Sequence, residues 1–264
     1  MREKIHDTIC SVVSLYGFNC GPGVLSEASS VALEWFRSLE VTPEKMGFGG
    51  NDVSVGVASY GRRMKKLEQM GFQGVQDISV FSLHEGGSIP LADWKVCWEM
   101  DCRYGGCATI GAWVGVARLE DERSVECTEA LVRLLRPTYG IGFYRELRFG
   151  PTLYAAGLAQ NLPTYGETKA ENHRINEWGR SGRGSRVYDR GVLRDVYPLN
   201  LLNGAQLDRK VGKKRLETWI QSSGEHGVLS EMAGMALWKV EESSIPSIRE
   251  TLSKSGLIYD PDRR

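Results

Sequence analysis

The apolar positions of this chain fall into short runs of two kinds, and their spacing predicts strands and helices in turn. Ile9 to Tyr16 is β-branched and apolar enough to form a strand. Ala28, Val31, Ala32, Trp35, Phe36 and Leu39 recur at helical spacing and predict a helix over 26–39, with Ser26 as its N-cap and Pro43 shortly beyond its end. A second helix over 59–70 carries the stripe Tyr60, Met64, Leu67 and turns Arg62, Arg63, Lys65, Lys66 and Glu68 toward water, with Gly71 as its stop. Val75 to Leu83 then alternates, with Ile78 and Val80 on one face and Phe81 and Leu83 on the other.

Strands over 94–101 and 109–118, joined by the turn around Gly105 and Gly106, read as an antiparallel hairpin. A helix over 122–136 follows, with Cys127, Leu131, Leu134 and Leu135 on one face, Glu129 four residues before Arg133, and Pro137 as its stop. Another strand is expected from Ile141 to Phe149. Between about 160 and 195 the pattern breaks. A short polar helix over 168–178 and a loop from Gly179 to Gly184 are expected there. Beyond it the spacing predicts a helix from Lys213 to Ser222, a strand from Met235 to Val240, a helix capped by Ser244 and ended by Gly256, and an edge strand from Leu257 to Tyr259.

Short strand–helix–strand units with antiparallel hairpins predict an α+β fold, with antiparallel or mixed sheets and helices packed on them. The organisation expected is an α+β domain over 1–160, an Arg/Gly-rich loop or connector over 161–194, and a smaller α+β unit over 195–264, either separate from the first or continuous with it.

The composition changes this picture little: 264 residues, 41% hydrophobic and 25% charged, suit a packed chain rather than a disordered one. The opening MREKIHDTIC lacks the apolar core of a secretory signal, and no stretch approaches eighteen consecutive apolar residues. The expectation is a soluble, cytoplasmic protein with no membrane partner, whose six cysteines are reduced thiols. Net charge is zero but unevenly spread. Residues 1–132 hold 12 Lys/Arg against 18 Asp/Glu, residues 133–194 hold 11 against 5, and residues 195–264 hold 10 against 10. The basic stretch either folds against the acidic one or faces an anionic partner.

Candidate chemistry is sparse. The glycine spacing that lets backbone amides cradle phosphates is missing, and Gly212-Lys213-Lys214 matches only the tail of a Walker motif. No cofactor is expected. Cys97, Cys102 and Cys107 have gaps wider than a zinc knuckle, and His84-Glu85 lacks the second histidine of a zinc-protease helix, so no metal is expected. Ser181, in GRSGR, misses the nucleophile elbow. Of the histidines His6, His84, His173 and His226, His173 alone lies among reactive side chains, one helical turn before Glu177, which could orient its imidazole as a general base. The arginines Arg174, Arg180, Arg183, Arg186, Arg190 and Arg194 cluster in one segment with Trp178 and Tyr188. Guanidinium forks match carboxylate and phosphate, and the rings offer stacking faces, so these eight residues are the candidate binding set.

The initial strand, the helix ending in EWFRSLEVTP and the terminal run WKVEESSIPSIRETLSKSGLIY resemble, in layout, bacterial immunity proteins paired with polymorphic toxins. That resemblance implies a non-catalytic protein whose charged surface binds and blocks a protein partner. Two other readings stand beside it. One is a hydrolase or transferase on a phosphate-bearing substrate, with His173 as base, Glu177 orienting it and Arg180 or Arg183 holding the phosphate. The other is a nucleic-acid-binding module using the same arginines, against which the interleaved Glu167, Glu171, Glu177 and Asp189 would repel phosphates.

Overall fold

The computed structural model describes residues 7–21, 23–48, 51–54, 57–72, 75–85, 87, 93–103, 105–159 and 168–262, with only the backbone for 51–54, 57, 58 and 60. In chain order its strands are β1 (Ile9–Tyr16), β2 (Lys45–Phe48), β3 (Asn51–Ser54), β4 (Asp77–Leu83), β5 (Trp94–Asp101), β6 (Cys107–Trp113), β7 (Tyr139–Glu146), β8 (Leu199–Leu202), β9 (Lys210–Val211), β10 (Lys214–Arg215), β11 (Val228–Met232) and β12 (Met235–Lys239). The helices are α1 (Val24–Ser38), α2 (Val57–Gln69), α3 (Glu122–Leu135), α4 (Pro151–Ala156), α5 (Lys169–Glu177), α6 (Gly204–Leu207), α7 (Leu216–Gln221) and α8 (Ile245–Lys254).

Ten strands form one antiparallel sheet in the order β11-β12-β8-β7-β1-β6-β5-β4-β2-β3. β1 lies near its centre with both faces covered, so from Cys10 to Tyr16 it is buried, and its two serines, Ser11 and Ser14, go inside hydrogen-bonded to the Ala117 carbonyl and the Thr109 hydroxyl. Val13 and Leu15 join the core beneath α1, α2 and α3, while Cys10, Val12 and Tyr16 join a second core beneath α4, α7 and α8. The fold is therefore α+β, with helices on both faces of the sheet. β7 pairs with β8 through Gly140↔Leu201 and Gly142↔Leu199, so strands from before and after the polar segment share one sheet.

The periodicity located most of these elements. β1 occupies the expected residues, Ile78 and Val80 face one core and Phe81 and Leu83 the other, and the hairpin pairs Val96 with Ala112 through Asp101 with Cys107. Other details differ: β6 ends at Trp113 rather than running to 118, and β7 ends at Glu146, with Leu147–Phe149 forming a tight turn instead of more strand. α1 starts after Gly23 with no side-chain cap, and the Ser26 hydroxyl instead donates to Glu68 Oε1 on α2 at 3.0 Å. Ser244 precedes α8 without a side-chain cap bond. The last expected edge strand is a single parallel bridge, Leu193↔Ile258. β8 and β11 carry no period-2 signal, since LNLL is buried on every side and VLSEM lies mostly exposed at the sheet edge.

Asn200 in β8 is wholly buried. Its amide donates to the Tyr197 carbonyl at 2.7 Å, and its Oδ1 accepts from the Tyr197 backbone N–H at 3.1 Å. Replacing it with leucine strands both backbone groups in an apolar setting, so N200L is expected to cost roughly 1–3 kcal/mol. Urea unfolding checks this, and an unchanged midpoint would refute the role of the bond.

Candidate functional site

The polar segment after residue 168 folds onto the second face of the sheet. Thr168 starts α5 with a reciprocal cap: its hydroxyl accepts from the Glu171 N–H at 3.2 Å, and Glu171 Oε2 accepts from the Thr168 N–H at 3.0 Å. The expected loop at 179–184 is instead a wide π-helical turn over Trp178–Arg183, followed by a tight turn over Val187–Arg190. Glycine makes the wide turn possible. A Cβ on Gly179 would lie 2.2 Å from the Gly157 carbonyl oxygen, and one on Gly182 would lie 2.3 Å from the Trp178 ring. The turn is thereby pressed against the C-terminal end of α4, and Trp178 and Tyr188 go inside. π-bulges are often found at functional sites because they re-aim side chains.

Inside, Trp178 meets Tyr16, Tyr139, Tyr188 and Tyr259, with ring centroids 5.6–6.3 Å apart. The Tyr16 hydroxyl donates to the Ala155 carbonyl at 2.9 Å, and the Tyr139 hydroxyl accepts from the Arg194 N–H at 3.1 Å. Burial raises the pKa of Tyr16, Tyr139 and Tyr188, that of Tyr188 to about 12, so these three stay neutral.

The arginines of the candidate set part company here. Arg194 is buried at 7% exposure. Its Nη1 donates to the Ala155 carbonyl at 3.2 Å and its Nη2 to the Tyr154 carbonyl at 2.7 Å, and its guanidinium lies over the Tyr154 and Trp178 rings at 4.1 and 5.4 Å. Arg183 is buried too, beside the Cys107 thiol, and among the described residues its Nε and Nη1 meet no hydrogen-bond acceptor. Arg186 is half-buried, ion-paired to Asp189 at 2.7 Å and donating to the Gly17 carbonyl. Arg180 points into water with Glu177 at 3.0 Å, and Arg174 and Arg190 are exposed.

His173 is exposed as well, and no hydrogen bond joins it to Glu177, whose oxygens accept from Arg180 and Ser181. The helix places the two residues one turn apart but leaves the carboxylate turned to other donors. His84 stacks on Trp113, and His226 stacks on Trp219 at 3.8 Å. Among the described residues no group of three or more His, Cys, Asp or Glu side chains is placed to hold a metal ion.

The cysteines overturn one expectation. Cys20 and Cys102, separated by 82 residues, form a disulfide with Cα atoms 5.6 Å apart, so the chain does not carry six reduced thiols. Cys10, Cys97, Cys107 and Cys127 are free and buried, and burial raises each thiol, that of Cys127 to about 12, so none is poised as a nucleophile.

Above the aromatic layer a cleft of about 650 Å³ opens between α5, α8 and the terminal residues 258–262. Two backbone hydrogen bonds hold that tail against Leu193, Leu193 N–H to Leu257 O at 2.8 Å and Tyr259 N–H to Leu193 O at 2.7 Å. Arg194, Tyr154 and Tyr197 line the cleft, together with Arg145, Arg174 and Arg249. The Tyr154 and Tyr197 hydroxyls hydrogen-bond to each other at 2.8 Å. Arg145 donates to the Phe149 carbonyl and lies over the Tyr154 ring at 4.2 Å, and burial lowers its pKa. Arg249 pairs with Asp195 at 2.5 Å. Of the candidate binding set, Arg174, Trp178 and Arg194 line this cleft. The sequence offered no signal for Arg145, Tyr154, Tyr197, Arg249 or Tyr259, because they come from β7, α4 and three C-terminal elements, far apart along the chain.

Among the described residues no helix is long and apolar enough to cross a membrane. No protein-family model matches the chain, and no curated protein matches it. Among solved structures it is similar to a Pseudomonas aeruginosa T6SS protein, PA0821, with 12% identity and a TM-score of 0.59 over 95% of this chain and 73% of that one. At that identity the likeness is one of fold.

Proposed function

We propose that this chain is a non-catalytic binding protein that holds and controls a protein partner, as the bacterial immunity proteins do that it resembles in layout. The partner presents an acidic surface to the face built by residues 168–195 and α8. The observation that carries this reading is the cleft itself. Its floor is aromatic and its walls carry four arginines interleaved with acidic side chains, and rings and guanidinium groups are the residue types that anchor interfaces, because they give large contact area with directed charge. The fold likeness to a T6SS protein supports a setting in which such partners occur.

The test uses the exposed arginines, because Arg183 and Arg194 are structural as well as charged. A tagged chain is used to recover a partner from its native cells, and the recovered protein is then titrated calorimetrically against wild type and R174E/R180E/R190E. Removing exposed cations from this face and adding anions in their place is expected to weaken binding about tenfold or more, with the loss shrinking as salt rises. Equal affinity for the two chains would overturn the placement of the interface, and turnover of the partner would overturn the non-catalytic reading.

A further inference from the structure

Arg194 presents a physical problem that its own fold does not solve. A guanidinium at 7% exposure has lost most of its hydration, yet among the described residues no carboxylate lies within ion-pair distance of it. Its partners are two carbonyl oxygens and two aromatic rings, which offset part of the desolvation but carry no negative charge. The nearest acid in sequence, Asp195, is taken by Arg249 and by the Val196 N–H. Arg194 also lines the cleft, so an anion entering from solvent could reach it.

The walls limit what that anion can be. Among the described residues five cationic and five acidic side chains line the cleft, and Glu250, Asp260 and Asp262 are among the acids. A lining of zero net charge does not draw in a polyanion, because each further phosphate would face a carboxylate as often as a guanidinium. A single carboxylate avoids that repulsion. It needs one deep cation, an apolar or aromatic channel for its methylene stem, and a second cation at the rim, and Arg194, Tyr154 and Arg174 are placed to meet those needs.

We infer that the cleft is a receptor for one acidic side chain, in which the carboxylate of a protruding Glu or Asp of the partner reaches the buried Arg194. This rests on the reading of the chain as a partner-binding protein and names the chemistry of its central contact.

The test needs no partner. The chain, labelled with nitrogen-15 at arginine, is titrated with a capped tripeptide carrying one glutamate, with the same peptide carrying glutamine, and with inorganic phosphate, all at constant ionic strength. A saturable shift of the Arg194 Nε–H resonance with the glutamate peptide alone is expected. The affinity should fall about tenfold in R194Q and by a smaller factor in R174Q, which alters only an exposed side chain and keeps the comparison usable if R194Q does not fold. An unmoved Arg194 signal, or equal shifts with the glutamine peptide, would overturn the inference, and tighter binding of phosphate would overturn the choice of carboxylate. The two readings fail separately. Peptide binding in a chain whose partner ignores R174E/R180E/R190E removes the interface and keeps the receptor. A partner that responds to those changes while the peptide leaves Arg194 unmoved does the reverse.

Discussion

Replacing Cys20 and Cys102 with serine, or reducing the bond between them, is expected to lower the melting temperature by roughly 10 °C. The bond closes a loop of 82 residues in sequence, and in the chain-entropy account a crosslink of that span removes about 4 kcal/mol of freedom from the unfolded chain. Each kcal/mol moves the midpoint of a chain this size by about 2–4 °C. The bridge ties the segment after β1 to the end of β5. There Phe18 N–H already bonds to the Gly105 carbonyl at 3.1 Å and Cys102 N–H to the Gln76 carbonyl at 2.7 Å, so little native strain opposes the crosslink. Melting curves with and without reductant, beside the double serine variant, make the measurement. Superimposable curves, or six titratable thiols in the unfolded unreduced chain, would refute the bond.

The second large effect belongs to the contact between Gly157 and Gly179. A Cβ on Gly179 would sit 2.2 Å from the Gly157 oxygen and 2.9 Å from its carbonyl carbon, and a Cβ on Gly157 would sit 2.4 Å from the Gly179 Cα. These neighbours are backbone, so no rotamer change relieves the overlap. The π-turn must lift off α4 and take Trp178 with it. G179A is expected to cost roughly 3 kcal/mol, at the upper end of overpacking penalties. It should also abolish the Arg194 response to the glutamate peptide, since Trp178, one of the two rings against the Arg194 guanidinium, is displaced from the carbonyls of α4 that hold the other side of it. G204A is the control. Its φ is not positive and nothing lies within 4 Å of its added Cβ, so its effect should stay within about 0.5 kcal/mol. Chemical unfolding of both variants decides the matter, and equal midpoints for G179A and wild type would mean that the two backbones do not meet.

Much of the fold was legible because it is written locally. The run Ile9–Tyr16 carries apolar residues on both faces, and the strand it forms is covered on both. Leu131 and Leu135, one helical turn apart, face the core, and Glu129 pairs with Arg133 on the outer side of the same helix. Chain spacing carries that information, since a helix or strand turns each residue by a set angle. The same logic misread Gly179–Gly184 as a loop. Glycine marks both a flexible turn and a close approach of two backbones, and only the position of Gly157 distinguishes them.

The candidate site was legible as a segment and not as a place. Periodicity in α5 could not show that Glu177 turns to Arg180 and Ser181 rather than to His173, because the competing donors lie in the π-turn. Arg180 and Arg183 are the same residue type three positions apart, and one is in water while the other is buried against Cys107.

Residue order alone placed the longer strands and helices, such as Ile9–Tyr16 and Glu122–Leu135, and showed that cations gather between 133 and 194. It could not settle which arginines lose their water, which thiols meet across 82 residues, or that β7, α5, α8 and the chain's last turn enclose one cleft. Secondary structure follows from interactions within a few residues. Charge burial, crosslinking and cavities depend on distances between elements remote in the chain, and those distances are set by the order of the strands in the sheet and the packing of helices upon it.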